Sequence, residues 1–279
     1  PQVIASYINS FSIIIILWLS VAVFVYVGAL IYAELGSRFP QTGGEYVYMQ
    51  KAFGPFFGFL FGWAQLFIIR TSPTAALSLL SAEYLGYFFP LDHSQKIIIA
   101  SLIIIVFGII NILGVNKGSA YNKFSSSVKI TGLMFFCLIG LILTSGDFSK
   151  LSESVSPTAS LGPVGNLIAA IMMIVFSFLG WDRVGYVAGE MKNPKKVIPQ
   201  SMFYGMLIVT MLYLGSNILY HSVIGLEGMR SSSIVASDTA ISLFGNIGAS
   251  LISIMVIISA TGSVNGTMMA TTRVYYAMA

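Results

Sequence analysis

The 279-residue chain is 56% hydrophobic and only 9% charged, with a formal net charge of +4. So few charges cannot cover a water-facing surface, where about a quarter of residues are normally charged, so lipid must supply the second solvent. Dispersed basic residues exclude a nucleic-acid patch. The single cysteine, Cys137, excludes a disulfide framework or a cysteine-built metal site, and His93 and His221 are too far apart in sequence to form a local ligand pair.

In chain order, residues 1–9 read as the tail of an earlier helix. Pro1 has no Met, basic n-region or cleavage site around it, and Ala279 ends inside an apolar run, so the chain reads as incomplete at both ends rather than as one led by a signal peptide. A spanning helix needs about 20 mostly apolar residues. Such stretches occur at 11–35, 54–89, 96–115, 124–145, 164–190, 197–222 and 244–279. The expectation is an all-α membrane protein with a single transmembrane domain over 1–279. The second and last stretches exceed one bilayer thickness and should tilt or project. Gly54, Gly58 and Gly62 repeat at i, i+4 and i+8, a spacing that lets two helices approach closely in lipid.

Lysine and arginine in the short loops set the orientation. One side collects Arg38, Lys51, Lys117, Lys123, Arg183, Lys192, Lys195, Lys196 and Arg273; the other has Lys96, Lys150 and Arg230. The first side is expected to be cytoplasmic. Segments 90–95, 146–163 and 223–243 then face outward, the last of them polar and serine-rich, fit for a short surface helix or a lid. Asp147 and Glu153 are acids of a solvated outer loop.

Four places carry chemistry. Phe176-Ser177-Phe178-Leu179-Gly180-Trp181-Asp182 sits in a long apolar stretch, where Gly180 weakens a helix and Ser177 competes for backbone hydrogen bonds. Either the helix kinks there for packing, or it breaks and frees peptide dipoles for a ligand, as transporters do at the midplane. Lys129 lies one or two turns inside a span; it snorkels to the interface, or it faces an interior cavity. Arg70 lies about halfway along its stretch and reaches the outer interface or lines a pocket. Ser259 to Thr267 is rich in small polar residues, which glue helices together or coordinate ions. Signatures of an enzyme are absent: no nucleophile elbow, no phosphate-cradling glycine loop, no His-Glu-x-x-His.

Four motifs then carry a resemblance. Tyr32-Ala33-Glu34-Leu35-Gly36 with Pro40, Gly43-Gly44-Glu45-Tyr46 and Phe53-Gly54 resembles the first cytoplasmic loop of the amino acid–polyamine–organocation superfamily. Trp63 with Ile68-Ile69-Arg70 resembles the third helix of its L-type amino acid transporter branch. Phe176 to Trp181 followed by Glu190-Met191-Lys192-Asn193-Pro194 resembles the broken sixth helix and its loop, and Gly262 to Gly266 with Arg273 the eighth helix.

The resemblance implies a fold of two inverted five-helix repeats plus two helices, of which this chain would hold the end of helix one to helix eight, and so would not transport alone. Carbonyls around Phe176, Ser177 and Leu179 would receive a substrate ammonium, Phe176 would be an aromatic gate, and Gly180 the break. Ile69, Pro73 and Phe178 would shape the side-chain pocket, with Leu179 larger than the residue common in the branch. Lys129 matches a lysine that replaces a sodium ion, reaching toward Ser259 or Ser263; this favours an interior role over snorkelling. The implied activity is sodium-independent exchange of neutral amino acids in the cell membrane, without cofactor or metal. The alternatives are proton-coupled symport, or a nutrient sensor. The loop from Phe88 to His93 lacks the cysteine that links animal L-type transporters to a heavy chain, so no disulfide-linked partner is expected.

Overall fold

In the computed structural model the protein is all-helical; the structure describes residues 1–144, 156–158 and 161–279, with the side chain of Val115 left aside. The expected outer-loop acids Asp147 and Glu153, and Lys150, lie outside the described residues. The helices are α1 (Gln2–Tyr7), α2 (Phe11–Arg38), α3 (Glu45–Phe53), α4 (Pro55–Ala64), α5 (Thr71–Leu85), α6 (His93–Ile112), α7 (Val115–Leu143), α8 (Gly162–Phe178), α9 (Pro194–Ser231) and α10 (Val235–Met278). A π turn over Gln65–Ile69 joins α4 to α5, and a 3₁₀ stretch over Trp181–Glu190 follows α8.

Among the described residues, six helical segments are long and apolar enough to cross a membrane: α2, α6, α7, α8 with its 3₁₀ extension, α9 and α10. The apolar stretch 54–89 is absent from that set because the π turn divides it. The protein is a multi-pass integral membrane protein. Large side chains such as Phe24, Ile142 and Ile247 stand 75% exposed. In water such surface would be untenable, but against acyl chains it costs nothing.

Two compact units make up the chain. The first comprises Pro1–Gly28, Thr131–Gly180 and Tyr204–Ile252; the second comprises Ala29–Ile130, Trp181–Phe203 and Ser253–Ala279.

In the first unit, α8 buries Asn166, Ala170, Ile174 and Phe178, one residue per turn on a single face. Trp18, Phe178 and Tyr213 form an aromatic triangle with centroids 5.2–5.6 Å apart. Segment 223–243 is not the polar surface element its composition suggests. Gly225, at φ 69°, bends α9, and Leu226, Met229 and Ala240 beyond it are wholly buried. Arg230 is 6% exposed because its guanidinium satisfies three main-chain carbonyls: Nε donates to Ala5 (2.8 Å), Nη2 to Ile8 (2.9 Å) and Nη1 to Ser156 (2.8 Å). The first two are carbonyls at the C-terminal end of α1, which a short helix cannot satisfy internally.

In the second unit, α6, the first half of α7 and the second half of α10 meet along a polar seam. Asn265, fully buried, donates to the Gly118 carbonyl and to Asn122 Oδ1, each at 2.8 Å, and accepts from Asn111 Nδ2 at 2.8 Å. Farther along, Tyr121 meets Thr261 at 2.7 Å and Ser125 donates to the Ile258 carbonyl at 2.7 Å. Positions 118, 121, 122, 125 and 129 fall on one face of α7, so the seam is periodic, not scattered. Gly262 is required by that approach: a Cβ there would stand 1.9 Å from Ser125 Oγ. Asn265→Leu should lower stability by about 1–3 kcal/mol by taking the donor from the Gly118 carbonyl and Asn122 Oδ1. The check is thermal unfolding in detergent; an unchanged melting point would show the seam to be ornamental.

The glycine series of α4 divides. Gly58 lies against Gln50 and Gly62 against Met278, whereas Gly54, at φ 94°, turns α3 into α4 with open space around it. Pro199, inside α9, cannot donate to the Lys195 carbonyl; the Ser37 hydroxyl, whose shorter bond is to the Ala33 carbonyl at 2.7 Å, stands 3.4 Å from it.

Candidate functional site

The first unit carries the helix break. Helix α8 stops at Phe178; Leu179 is extended (φ −61°, ψ 144°) and Gly180 has φ 119°, a left-handed value that an L side chain avoids. The last turn of α8 therefore has carbonyls with no intrahelical donor. Two of them are half used: the Phe176 carbonyl accepts the Leu179 amide at 3.2 Å, and the Ser177 carbonyl accepts the Tyr213 hydroxyl at 2.7 Å. Each keeps one lone pair for another donor. The Ser177 hydroxyl donates back to the Met173 carbonyl at 2.9 Å and so is committed to its own helix. Phe176 is 63% exposed and Leu179 61%, whereas Phe178 is 4% exposed inside the aromatic triangle. Tyr213, which fixes the Ser177 carbonyl, lies far from the motif in sequence; nothing local marked it.

The second unit holds Ile69, Pro73, Lys129, Ser259 and Ser263. Ile69 ends the π turn and Pro73 follows one turn later. Proline at 73 cannot donate to the carbonyl four residues back, and its ring crowds that carbonyl. A widened turn immediately before it relieves both problems. The Arg70 amide accordingly reaches the Gln65 carbonyl (3.3 Å), and the Thr71 hydroxyl caps the Phe67 carbonyl (2.8 Å).

The π turn also aims Arg70 inward. Its Nε donates to Gln65 Oε1 at 2.7 Å, while Nη2 donates to Asp182 Oδ2 and to the Tyr186 hydroxyl, each at 2.5 Å, and stands 3.7 Å from Glu45 Oε2. The guanidinium carbon lies 5.2 Å from the Tyr186 ring centre. Glu45 in turn accepts from the hydroxyls of Tyr32 (2.6 Å) and Tyr186 and from Gln65 Nε2 (3.4 Å). Arg70, Glu45 and Asp182 are 11%, 17% and 14% exposed at the side chain, so this is a desolvated network. On α3, burial and the Glu45 carboxylate push the Tyr48 hydroxyl up to about 12. Of the two sequence readings for Arg70, lining a pocket agrees with its place on a cavity wall between α5, α6 and α10, but neither reading included this ring of partners. Gln65, a lone amide in an apolar stretch, was the available signal.

Lys129, half-buried, donates to Ser263 Oγ at 3.3 Å, and Ser263 donates onward to the Ser259 carbonyl at 3.0 Å. Those three residues therefore form one hydrogen-bonded chain. A mostly apolar cavity of about 640 Å³ lies between α5, α6 and α10, with Arg70 and Asn111 on its wall beside Ile104, Gly108, Met268 and Tyr275. The Thr74 and Thr271 hydroxyls on its wall donate to carbonyls of their own helices. Among the described residues no group of three or more His, Cys, Asp or Glu could hold a metal ion.

Comparison with known proteins gives this arrangement a family. The chain is 32% identical over its whole length to the serine/threonine exchanger SteT of Bacillus subtilis, of which it covers 63%. It is 29% identical over 99% of its length to the cystine/glutamate transporter of Homo sapiens (56% of that protein) and 27% identical, also over 99%, to the b(0,+)-type amino acid transporter 1 of Oryctolagus cuniculus (57%). It thus spans somewhat more than half the length of these relatives. The family model described as amino acid permease matches residues 2–279, and the chain belongs to that family.

Proposed function

We propose that the protein exchanges neutral amino acids across the cell membrane by alternating access, without sodium and without a disulfide-linked partner. The observation that carries this reading is the interruption at Gly180. At membrane depth a chain that stops hydrogen-bonding to itself is tolerated only beside protein or water, and the freed carbonyls of Phe176 to Leu179 suit an ammonium group. The names of the relatives support amino acids as the cargo and exchange as the mode. Lys129, a fixed cation inside the second unit bonded to Ser263, supports independence from sodium through its resemblance to the lysine that stands in place of a sodium ion in the family. The one cysteine, Cys137, is buried, which supports a stand-alone subunit.

The test is counterflow of a panel of labelled amino acids into liposomes holding the full-length permease, with and without sodium and with and without a pH gradient. Accumulation of neutral amino acids that depends on internal substrate alone is the expected result. Uptake driven by the pH gradient without internal substrate would replace exchange by proton symport. Phe176→Ala, which removes the exposed ring at the break, should weaken substrate affinity and cut flux by roughly tenfold or more, the cost of about 1.4 kcal/mol or more. Wild-type affinity and flux in that variant would remove the gate.

A further inference from the structure

Toward the side that the loop charges assign to the cytoplasm, the second unit pairs its acids with arginines and leaves its lysines over. Glu34 meets Arg38, Glu190 meets Arg273, and Glu45 and Asp182 both lie against Arg70. Lys192, Lys195 and Lys196, at the entry to α9, are exposed and make no ion pair or side-chain hydrogen bond among the described residues. Helix stability does not account for three cations there. The positive end of the helix dipole repels them, and the first turn of α9 holds no acid to offset it.

Their level in the membrane follows from the residues next to them. Lys196, Gln200 and Phe203 stand at i, i+4 and i+7 on one face of α9, all exposed, and Val197 beside them is exposed too. An exposed phenylalanine on a spanning helix faces acyl chains, so the same face carries Lys196 about 10 Å farther along the axis, where the headgroups begin. The end of α2 adjoins this place. The Ser37 hydroxyl stands 3.4 Å from the Lys195 carbonyl, and a Cβ on Gly36 would come within 3.1 Å of Ile198. On α2 the exposed Ile31 gives way to the Glu34–Arg38 pair, so both helices leave the lipid at one edge. The lysines of α9 are the uncompensated charge of that edge.

We infer that Lys192, Lys195 and Lys196 form a docking surface for the headgroup of an anionic phospholipid. The occupant is a lipid phosphate and not a dissolved anion, because the lysines end an acyl-facing stripe, where a phosphodiester arrives already tethered at high local concentration. Lysine suits this partner. A point charge on a flexible stem holds a phosphate without fixing its orientation, whereas the arginines of this unit are committed to carboxylates. Each basic residue near an anionic surface strengthens binding about fivefold, so three give roughly a hundredfold. The inference involves neither the break at Gly180 nor the cargo.

The test is the melting temperature of the full-length permease in detergent as phosphatidylglycerol, phosphatidylcholine with the same acyl chains, or inorganic phosphate is added. Phosphatidylglycerol is expected to raise it several degrees more than phosphatidylcholine does, with a gain that shrinks as salt is increased. The triple variant Lys192→Gln, Lys195→Gln, Lys196→Gln should need roughly tenfold or more phosphatidylglycerol for half the effect. The triple variant Lys192→Arg, Lys195→Arg, Lys196→Arg should respond as the wild type does. Lys117→Gln with Lys123→Gln, which removes two exposed lysines of α7, should move the half-effect concentration little. Equal stabilisation by phosphatidylcholine or by inorganic phosphate alone overturns the inference, as does a triple glutamine variant that keeps the wild-type response. An equal loss in the α7 variant would show diffuse charge in place of a defined surface and overturn it as well. Lipid binding is read here without transport, so a failure of the exchanger reading leaves this result untouched.

Discussion

Arg70→Ala should destabilise the protein by about 3–5 kcal/mol, because it strands Asp182 and Glu45 as buried carboxylates without a counter-charge. In thermal unfolding of the detergent-solubilised permease that corresponds to a fall of roughly 10 °C. Arg70→Lys should recover less than half. A lysine can reach one acceptor as a point charge, but it cannot place Nε on Gln65 and Nη2 on both Asp182 and Tyr186 at once. The double variant Arg70→Met with Asp182→Asn removes both signs together and should lie closer to the wild type than Arg70→Ala does. That non-additivity is the signature of the network. If the two single substitutions instead cost the same as each other and summed, the ring of partners would be a set of independent contacts.

The same network shows where a sequence reading stops. Apolar runs of spanning length mark the helices because lipid imposes length and composition directly, and α2, α6 and α8 are visible in the sequence for that reason. The break at Gly180 is legible too, since a glycine beside serine inside an apolar stretch is a local weakness with a local cause. Arg70 is different. Its partners lie at 45, 65, 182 and 186, and no periodicity links them. What positions it is the π turn, a response to the missing amide of Pro73. Proline was visible, but whether the helix would kink or widen was decided by what Arg70 could reach.

Phe178 teaches the converse. The motif suggests a pocket residue, yet positions 166, 170, 174 and 178 form the buried face of α8, and the ring packs on Trp18 and Tyr213. Helical period was the better guide to this side chain. Segment 223–243 misleads by composition: its serines and charges read as solvated, but Arg230 is buried because the C-terminal carbonyls of α1 need donors. A charge can be interior when backbone groups supply its partners.

Lys129 separates stability from activity most sharply. Among the described residues its ammonium has one neutral acceptor, Ser263 at 3.3 Å. Among the described residues nothing more repays the desolvation of that charge, so a residue of similar length without charge should fit at least as well. Lys129→Met is therefore expected to raise the melting temperature, or leave it unchanged, while slowing counterflow by roughly tenfold to a hundredfold, the scale of one charged hydrogen bond of about 1.5–3 kcal/mol. Ser263→Ala, which removes the acceptor and keeps the charge, should lower both stability and flux, because the ammonium then loses the partner it has among the described residues. A stabilised but inactive Lys129→Met would mark a charge retained at a cost to stability because transport uses it. If Lys129→Met lost stability and flux together, the lysine would be a structural strut between α7 and α10, and sodium independence would need another basis.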